Sequence, residues 1–315
     1  MMRIPQPRRL SSLKAQVFAL WPLFALSIAF QTQLITYGQD RPRDLTPVED
    51  FTKNRPKGNQ KKPPGRRPQL YRLTAGRPNT INTPTSSNGQ IGITVWHLRP
   101  AIKSEPGARI LLWGAERAEH VAQRASTETP LPRGGKVRLS IESARTGFLY
   151  VVNRGLFADG SAGPARLMFP VRKMRDNDNK VRPGRLVEIP GQQDEPNYLD
   201  ATPARRDQVG ELLIVLVTAE PLNLPLSNFG ANIPAAELAT WEKKWGGGAQ
   251  KLEMVGGEGQ QWTTVEKEAA TDSGRRLRED EPPPQTVFRL PAGKDDGLLV
   301  SVTLRYQRSK TRSRR

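Results

Sequence analysis

Hydrophobic and polar positions alternate most regularly between Lys136 and Asn153. In KVRLSIES, Val137, Leu139 and Ile141 share one face, and Arg138, Ser140 and Glu142 share the other. This period of two marks a half-buried strand. Arg145-Thr146-Gly147 reads as a turn, with Gly147 free to take a positive φ. Phe148 to Val152 is apolar on both faces and rich in β-formers, the pattern of a strand inside a sheet. Together the two runs predict a hairpin of one edge-ward and one central strand.

The same alternation recurs along the chain. Ile91, Ile93 and Val95 lie opposite Thr94, Trp96 and Leu98, and a short strand over Arg109–Trp113 follows a Lys103–Gly107 turn. Ala115–Arg124 has the composition of a brief helix. Arg166–Phe169 is a strand closed by Pro170, Arg185–Ile189 one stopped by Pro190, and Glu211–Thr218 is apolar enough to be central. Asn232–Trp245 predicts a helix with Leu238, Trp241 and Trp245 on one face and Gly246-Gly247-Gly248 at its end. Lys251–Val255 reads as a strand, and Thr263-x-x-Glu266 as a capping box opening a helix through Ala270. Thr286–Leu290 and Leu298–Tyr306 predict a second hairpin. Many short strands with Gly/Pro turns imply a mainly β fold, an antiparallel β-sandwich with one or two short helices.

The two ends depart from this pattern. Residues 1–14 hold Arg3, Arg8, Arg9 and Lys14 and no acid, and an apolar run over Ala15–Phe30 follows. This is the layout of a secretory signal peptide, here assigned to residues 1–38. As a helix the run would span ~24 Å against a bilayer core of roughly 30 Å. Residues 39–90 contain eight prolines and no sustained hydrophobic period, which predicts a basic, proline-rich disordered linker. Residues 91–306 form the expected sandwich domain with C-terminal helical decoration, and 307–315 a basic disordered tail.

The net charge of +18 over 315 residues suggests a nucleic-acid binder until it is located. Residues 1–90 carry 15 Lys/Arg and 4 Asp/Glu, whereas 91–306 carry 29 and 27. The excess sits in the ends, so no nucleic-acid partner is expected of the domain. Lys61, Lys62, Arg66, Arg67, Arg312, Arg314 and Arg315 are the candidate contacts to an anionic envelope polymer. A membrane is met only transiently, through the signal peptide. Cysteine is absent, which removes disulfides, thiol catalysis and Cys-ligated metals.

The run from Lys136 to about Leu222 resembles the bacterial family called domain of unknown function 4384. The residues that carry the likeness are Val137-Arg-Leu-Ser140, Gly147-Phe-Leu-Tyr-Val-Val-Asn153, Asp159-Gly160 and Leu167-Met-Phe-Pro170. Asn179-Lys-Val181, Pro183-Gly184, Ile189-Pro190 and Gly210-Glu-Leu-Leu213 follow in order. The family usually has Tyr where this chain has Phe148. The resemblance implies an accessory β module behind a signal peptide and no established catalytic residues. It makes Gly147 and Gly184 turn glycines, Tyr150 and Phe169 core, and Pro170 and Pro190 strand ends.

Candidate chemistry is sparse. The two histidines, His97 and His120, read as packed or surface residues. Asp159-Gly160-Ser161-Ala162-Gly163 lacks the first glycine of a nucleophile elbow and reads as a loop. Asp176-Asn-Asp178-Asn offers hard oxygen ligands, but without the glycine and distant glutamate of a calcium loop it reads as a solvated turn. Trp262, beside a glycine-rich loop, is the candidate exposed aromatic. Asp159, Asp176 and Asp178 join it as possible ligand contacts; no catalytic, cofactor or metal residue is assigned, and no cofactor is expected. These readings lead to an exported, non-enzymatic cell-envelope module that binds a protein or an anionic polymer. The alternative is a periplasmic or secreted hydrolase acting on glycan or peptide through carboxylates that folding brings together.

Overall fold

The structure, a computed structural model, describes residues 46–58, 69–75, 89–102, 109–112, 118–228, 230–271, 274–291 and 296–308. The signal-peptide assignment at 1–38, the basic residues 61, 62, 66 and 67, and the tail from 309 lie outside these. Among the described residues no helix is long and apolar enough to cross a membrane.

The chain is mainly β and antiparallel. It opens with α1 (Thr46–Lys53), β1 (Tyr71–Ala75), β2 (Gln90–Pro100), β3 (Arg109–Leu112) and β4 (Ala118–Ala125). Next come β5 (Lys136–Ser143), β6 (Gly147–Phe157), β7 (Ala165–Phe169), β8 (Lys180–Val181), β9 (Val187–Ile189) and β10 (Leu199–Asp200). β11 (Gln208–Thr218), β12 (Asn232–Ile233), α2 (Ala235–Trp245), β13 (Gln250–Met254), α3 (Thr264–Ala269), β14 (Thr286–Arg289) and β15 (Gly297–Arg305) complete it.

Two sheets form. The second runs β12-β7-β6-β11-β15, with β8 on the start of β6. The first is built around β2. One edge of β2 is shared between β14, at Gln90–Ile93, and β4, at Val95–Pro100, while β5 lies along the other edge. The main core fills the space between the sheets with Ile93, Leu139 and Ile141 from one and Val151, Val215 and Val300 from the other. A second cluster sits under α2, where Leu238, Trp241 and Trp245 meet Val152, Ile214 and Leu216 on the outer face of the second sheet. The predicted apolar stripe of this helix is therefore its buried face. Its start is shorter than expected, since Asn232 and Ile233 pair with β7. α3 carries the predicted capping box, Thr263 and Glu266 each accepting from the other's backbone N–H.

Neither predicted hairpin forms. β5 belongs to the first sheet and β6 to the second, so Ala144–Thr146 carries the chain across the sandwich. β14 and β15 are divided in the same way. Each sheet has a better partner available than the neighbouring strand: β11 pairs with β6 over the length of both and with β15 on its other edge. Gly147 does not take a positive φ; its requirement is space, because a Cβ would lie 2.4 Å from the Thr218 carbonyl oxygen. Gly184 does sit at φ +82 in its turn. Of the predicted helix over Ala115–Arg124, the described residues are not helical. From Ala118 the chain is strand β4, paired with β2 and β3 at once, and those two ladders override a helical composition.

The linker reading of 39–90 is corrected in part. α1 buries Phe51 against Leu252, Met254 and Val287, and β1 pairs with β13. These two short segments complete the first sheet's outer face. Too few apolar residues lie in either for a sequence period to show.

Candidate functional site

The polar side of β5 was expected to meet water. It is buried instead, because the end of α1, the β8–β9 turn and the 257–271 and 274–285 segments cover the first sheet. Arg138 pairs with Glu188 at 3.2 Å, both at 0% exposure. Trp96 Nε1 donates to Ser140 Oγ at 2.7 Å. Arg55 donates twice to the Glu142 carboxylate, at 2.8 and 2.7 Å, and Gly184 N donates to it at 3.1 Å. Arg124 pairs with Glu266 beside them, its guanidinium 5.3 Å from the Trp96 ring. Each of these ion pairs joins two separate pieces of chain, so the layer is a set of fasteners.

This layer absorbs Trp262. The ring is 2% exposed and lies 5.8 Å from Trp96, tilted by 43°. The expectation of an exposed, ligand-stacking tryptophan is wrong: the glycine-rich loop before it turns back so that Trp262 N–H bonds to Ala122 O. Glu188 is the carboxylate that burial pushes up to about 7, against the lowering effect of Arg138. A value near 7 suits a general acid, yet no substrate can reach a side chain sealed between strands and covering loops.

The other sequence candidates stand apart. Asp159 Oδ1 accepts from Ser161 N at 2.9 Å and Ser161 Oγ at 2.6 Å, bonds that hold its carboxyl below the usual range. Asp178 Oδ1 accepts from Lys180 N at 3.1 Å, and Oδ2 from Arg185 at 2.5 Å. Partial burial would raise Asp178, but these bonds outweigh it and lower its pKa. The two aspartates lie near opposite ends of β6, roughly 33 Å of strand apart, so they form no common site. Only the backbone of Asp176 is described. His97 and His120 are held below their ordinary pKa first by burial, and the charges acting on them are the cations Arg99 and Lys136. Among the described residues no carboxylate orients either ring as a general base requires.

What the structure does assemble is a cleft of about 410 Å³, between the β6–β7 end of the second sheet and the β9–β10 connection of the first. Its position follows from an irregularity. Val151 pairs with Phe169 and Val152 with Leu167, so Met168 is an extra residue in β7. Such a bulge bends the strand and re-aims a side chain. Met168, Met174 and Leu199 pack on the rim of the main core and form the apolar floor, with Val171 and Tyr198 beside them. Arg166 and Lys173, both exposed, stand on β7 and the loop after it. Asp194 and Glu195 stand on the β9–β10 connection.

The walls are tied together. Asp194 Oδ1 accepts from Arg175 N at 3.1 Å, and Oδ2 from Gly191 N at 2.6 Å. Arg175 itself sits at φ +50, a conformation L residues seldom hold without surrounding support. One polar atom of the cleft, Asn153 Oδ1, is buried with no partner among the described residues. Asn153, Met168 and Pro190 fall in the runs that carry the family resemblance, but no motif marks them, or Arg166, Lys173, Asp194 and Glu195, as a site. The bulge that gathers them is a property of strand pairing, and the 190–196 segment has no period to read. A second, open depression of about 520 Å³ lies beside α3, lined by Thr264, Lys267, Glu268, Thr271 and Arg275.

Fold and cleft together define a mainly β, two-sheet protein with a half-enclosed, apolar-floored cleft where its sheets part. Comparison of the chain with protein-family models, curated proteins and solved structures finds no match.

Proposed function

We propose that the chain is an exported, non-enzymatic interaction module of a bacterial cell envelope, related to the domain of unknown function 4384 family. The cleft makes the specific contact and the basic segments hold the protein near anionic polymer. The observation that carries the reading is the build of the cleft. Its floor is apolar, its walls are fixed to each other, and its one buried acid, Asp194, already accepts two backbone N–H groups. Those bonds suit a rigid binding surface better than a proton-transfer site.

The test is in-cell cross-linking of the exported chain, with capture and mass spectrometry. Removing all of 39–90 would unfold the protein, since Phe51, Arg55 and Tyr71 belong to the fold. The charge-stripped version therefore carries Lys61, Lys62, Arg66 and Arg67 as Ser and lacks residues 309–315. A discrete protein partner kept by this version and lost on Leu199→Trp, which fills the cleft, supports the reading. Capture of bulk anionic polymer alone, lost on charge stripping, would overturn it and leave the ends as the sole attachment.

A further inference from the structure

The cleft's lining has an order that its volume alone does not convey. Cations come from one wall, Arg166 on β7 and Lys173 on the following loop. Acids come from the other, Asp194 and Glu195. The floor between them is apolar and contains two of the chain's five methionines, Met168 and Met174. Unbranched thioether side chains adapt to apolar groups of different shape. Asn153 Oδ1 adds a buried acceptor that no group of the protein satisfies among the described residues, a cost that a ligand donor would remove.

A fatty acid or other purely anionic amphiphile would meet the cations but bring its charge and chain against Asp194 and Glu195. A purely cationic amphiphile has the opposite conflict. A ligand carrying both charges at the ends of a short apolar body meets each wall with its opposite. We propose that the cleft binds a short zwitterionic apolar peptide, of dipeptide size, with both termini free. Its carboxylate faces the cation wall, chiefly Arg166, and its ammonium faces the acid wall, chiefly Glu195, because the Asp194 oxygens already accept two N–H bonds. Its apolar side chains lie on Met168, Met174 and Leu199. Its amide N–H is the donor for Asn153 Oδ1. A cleft of about 410 Å³ lies within the usual range of small-ligand pockets, roughly 300–1,000 Å³.

This inference rests on the cleft being a binding site, as in the interaction-module reading, but its experiment is separate. The full chain is labelled with ¹³C at the methionine methyls, with Met168→Leu and Met174→Leu assigning the two signals. It is titrated with the dipeptide Leu-Leu, N-acetyl-Leu-Leu, Leu-Leu amide and laurate. Leu-Leu is expected to shift both methyls saturably. N-acetylation and C-amidation should each weaken binding about fivefold or more, as loss of a charge-assisted contact does. Arg166→Gln should weaken Leu-Leu but barely change its amide; Glu195→Gln should do the same for the acetylated form. Absence of saturable shifts would overturn the inference, as would equal affinity for the blocked peptides. Laurate binding without Leu-Leu binding would also overturn it, reassigning the cleft to a lipid. The cross-linking result is read on its own, so failure of this inference and failure of the module reading stay distinguishable.

Discussion

Two side chains show how far environment outweighs residue type. Glu188 sits beside Arg138, yet burial raises its pKa from the ordinary 4.5 to about 7. The folded chain therefore holds a proton that the unfolded chain gives up. Stability from this group is fully present below 4.5 and drains away as pH rises to about 7. Glu188→Gln keeps the neutral form at every pH. Urea midpoints at pH 5 and pH 8 should fall less for the variant than for the wild type, and equal falls would refute the assignment. Trp262 makes a simpler case. Its ring is 2% exposed, so Trp262→Ala should cost about 3–5 kcal/mol in chemical unfolding while leaving cleft titrations unchanged. Its burial was not visible in the sequence, because a tryptophan beside glycines looks the same whether its loop turns outward or back.

At the scale of elements, the short pieces are held by a few anchoring side chains. α1 is eight residues long, too short to persist alone. It is fixed by Phe51 and, just past its end, by Arg55, whose guanidinium meets Glu142 and the carbonyls of Arg278, Glu281 and Pro282. Arg55→Ala leaves the Glu142 carboxyl without its guanidinium partner in a site that is 1% exposed. It should cost about 3–5 kcal/mol and release α1, seen as faster amide exchange at Phe51 to Arg55. A surface ion pair would give well under about 1 kcal/mol, so the measured size decides between a fastener and an ornament. Thr263→Ala removes one half of the α3 capping box and should cost about 1 kcal/mol in the same assay.

The whole molecule has an uneven distribution of pairing. β11 is flanked on both edges over its length and lies between two apolar clusters. β1 is an edge strand of the first sheet and, among the described residues, pairs only with β13. Amides of Leu213 to Val217 should exchange only through global unfolding, and those of Tyr71 to Ala75 well before it. The reverse order in native-state hydrogen exchange would contradict the topology. The proposed attachment through the basic segments also belongs to this scale. It should weaken steeply as salt rises past physiological strength, where the Debye length is about 8 Å, while cleft binding of a partner should persist.

Local pattern alone settled the class of fold, because strand period, turn residues and capping chemistry act between neighbours in the chain. Val137, Leu139 and Ile141 face the core as their spacing requires, Glu211–Thr218 is central, and Thr263 and Glu266 cap a helix. Partner choice was decided only in the folded chain. Alternation says that Arg138 and Glu142 share a face, but not that residues 50 and 87 positions away in sequence come to meet them. Strong strands at 136–143 and 147–157 do not say whether they pair with each other or across the sandwich. The cleft is the furthest from the sequence, since it arises from a one-residue bulge and from two loops joined by Asp194. Such features depend on the relative placement of distant segments, which the core fixes and no local period encodes.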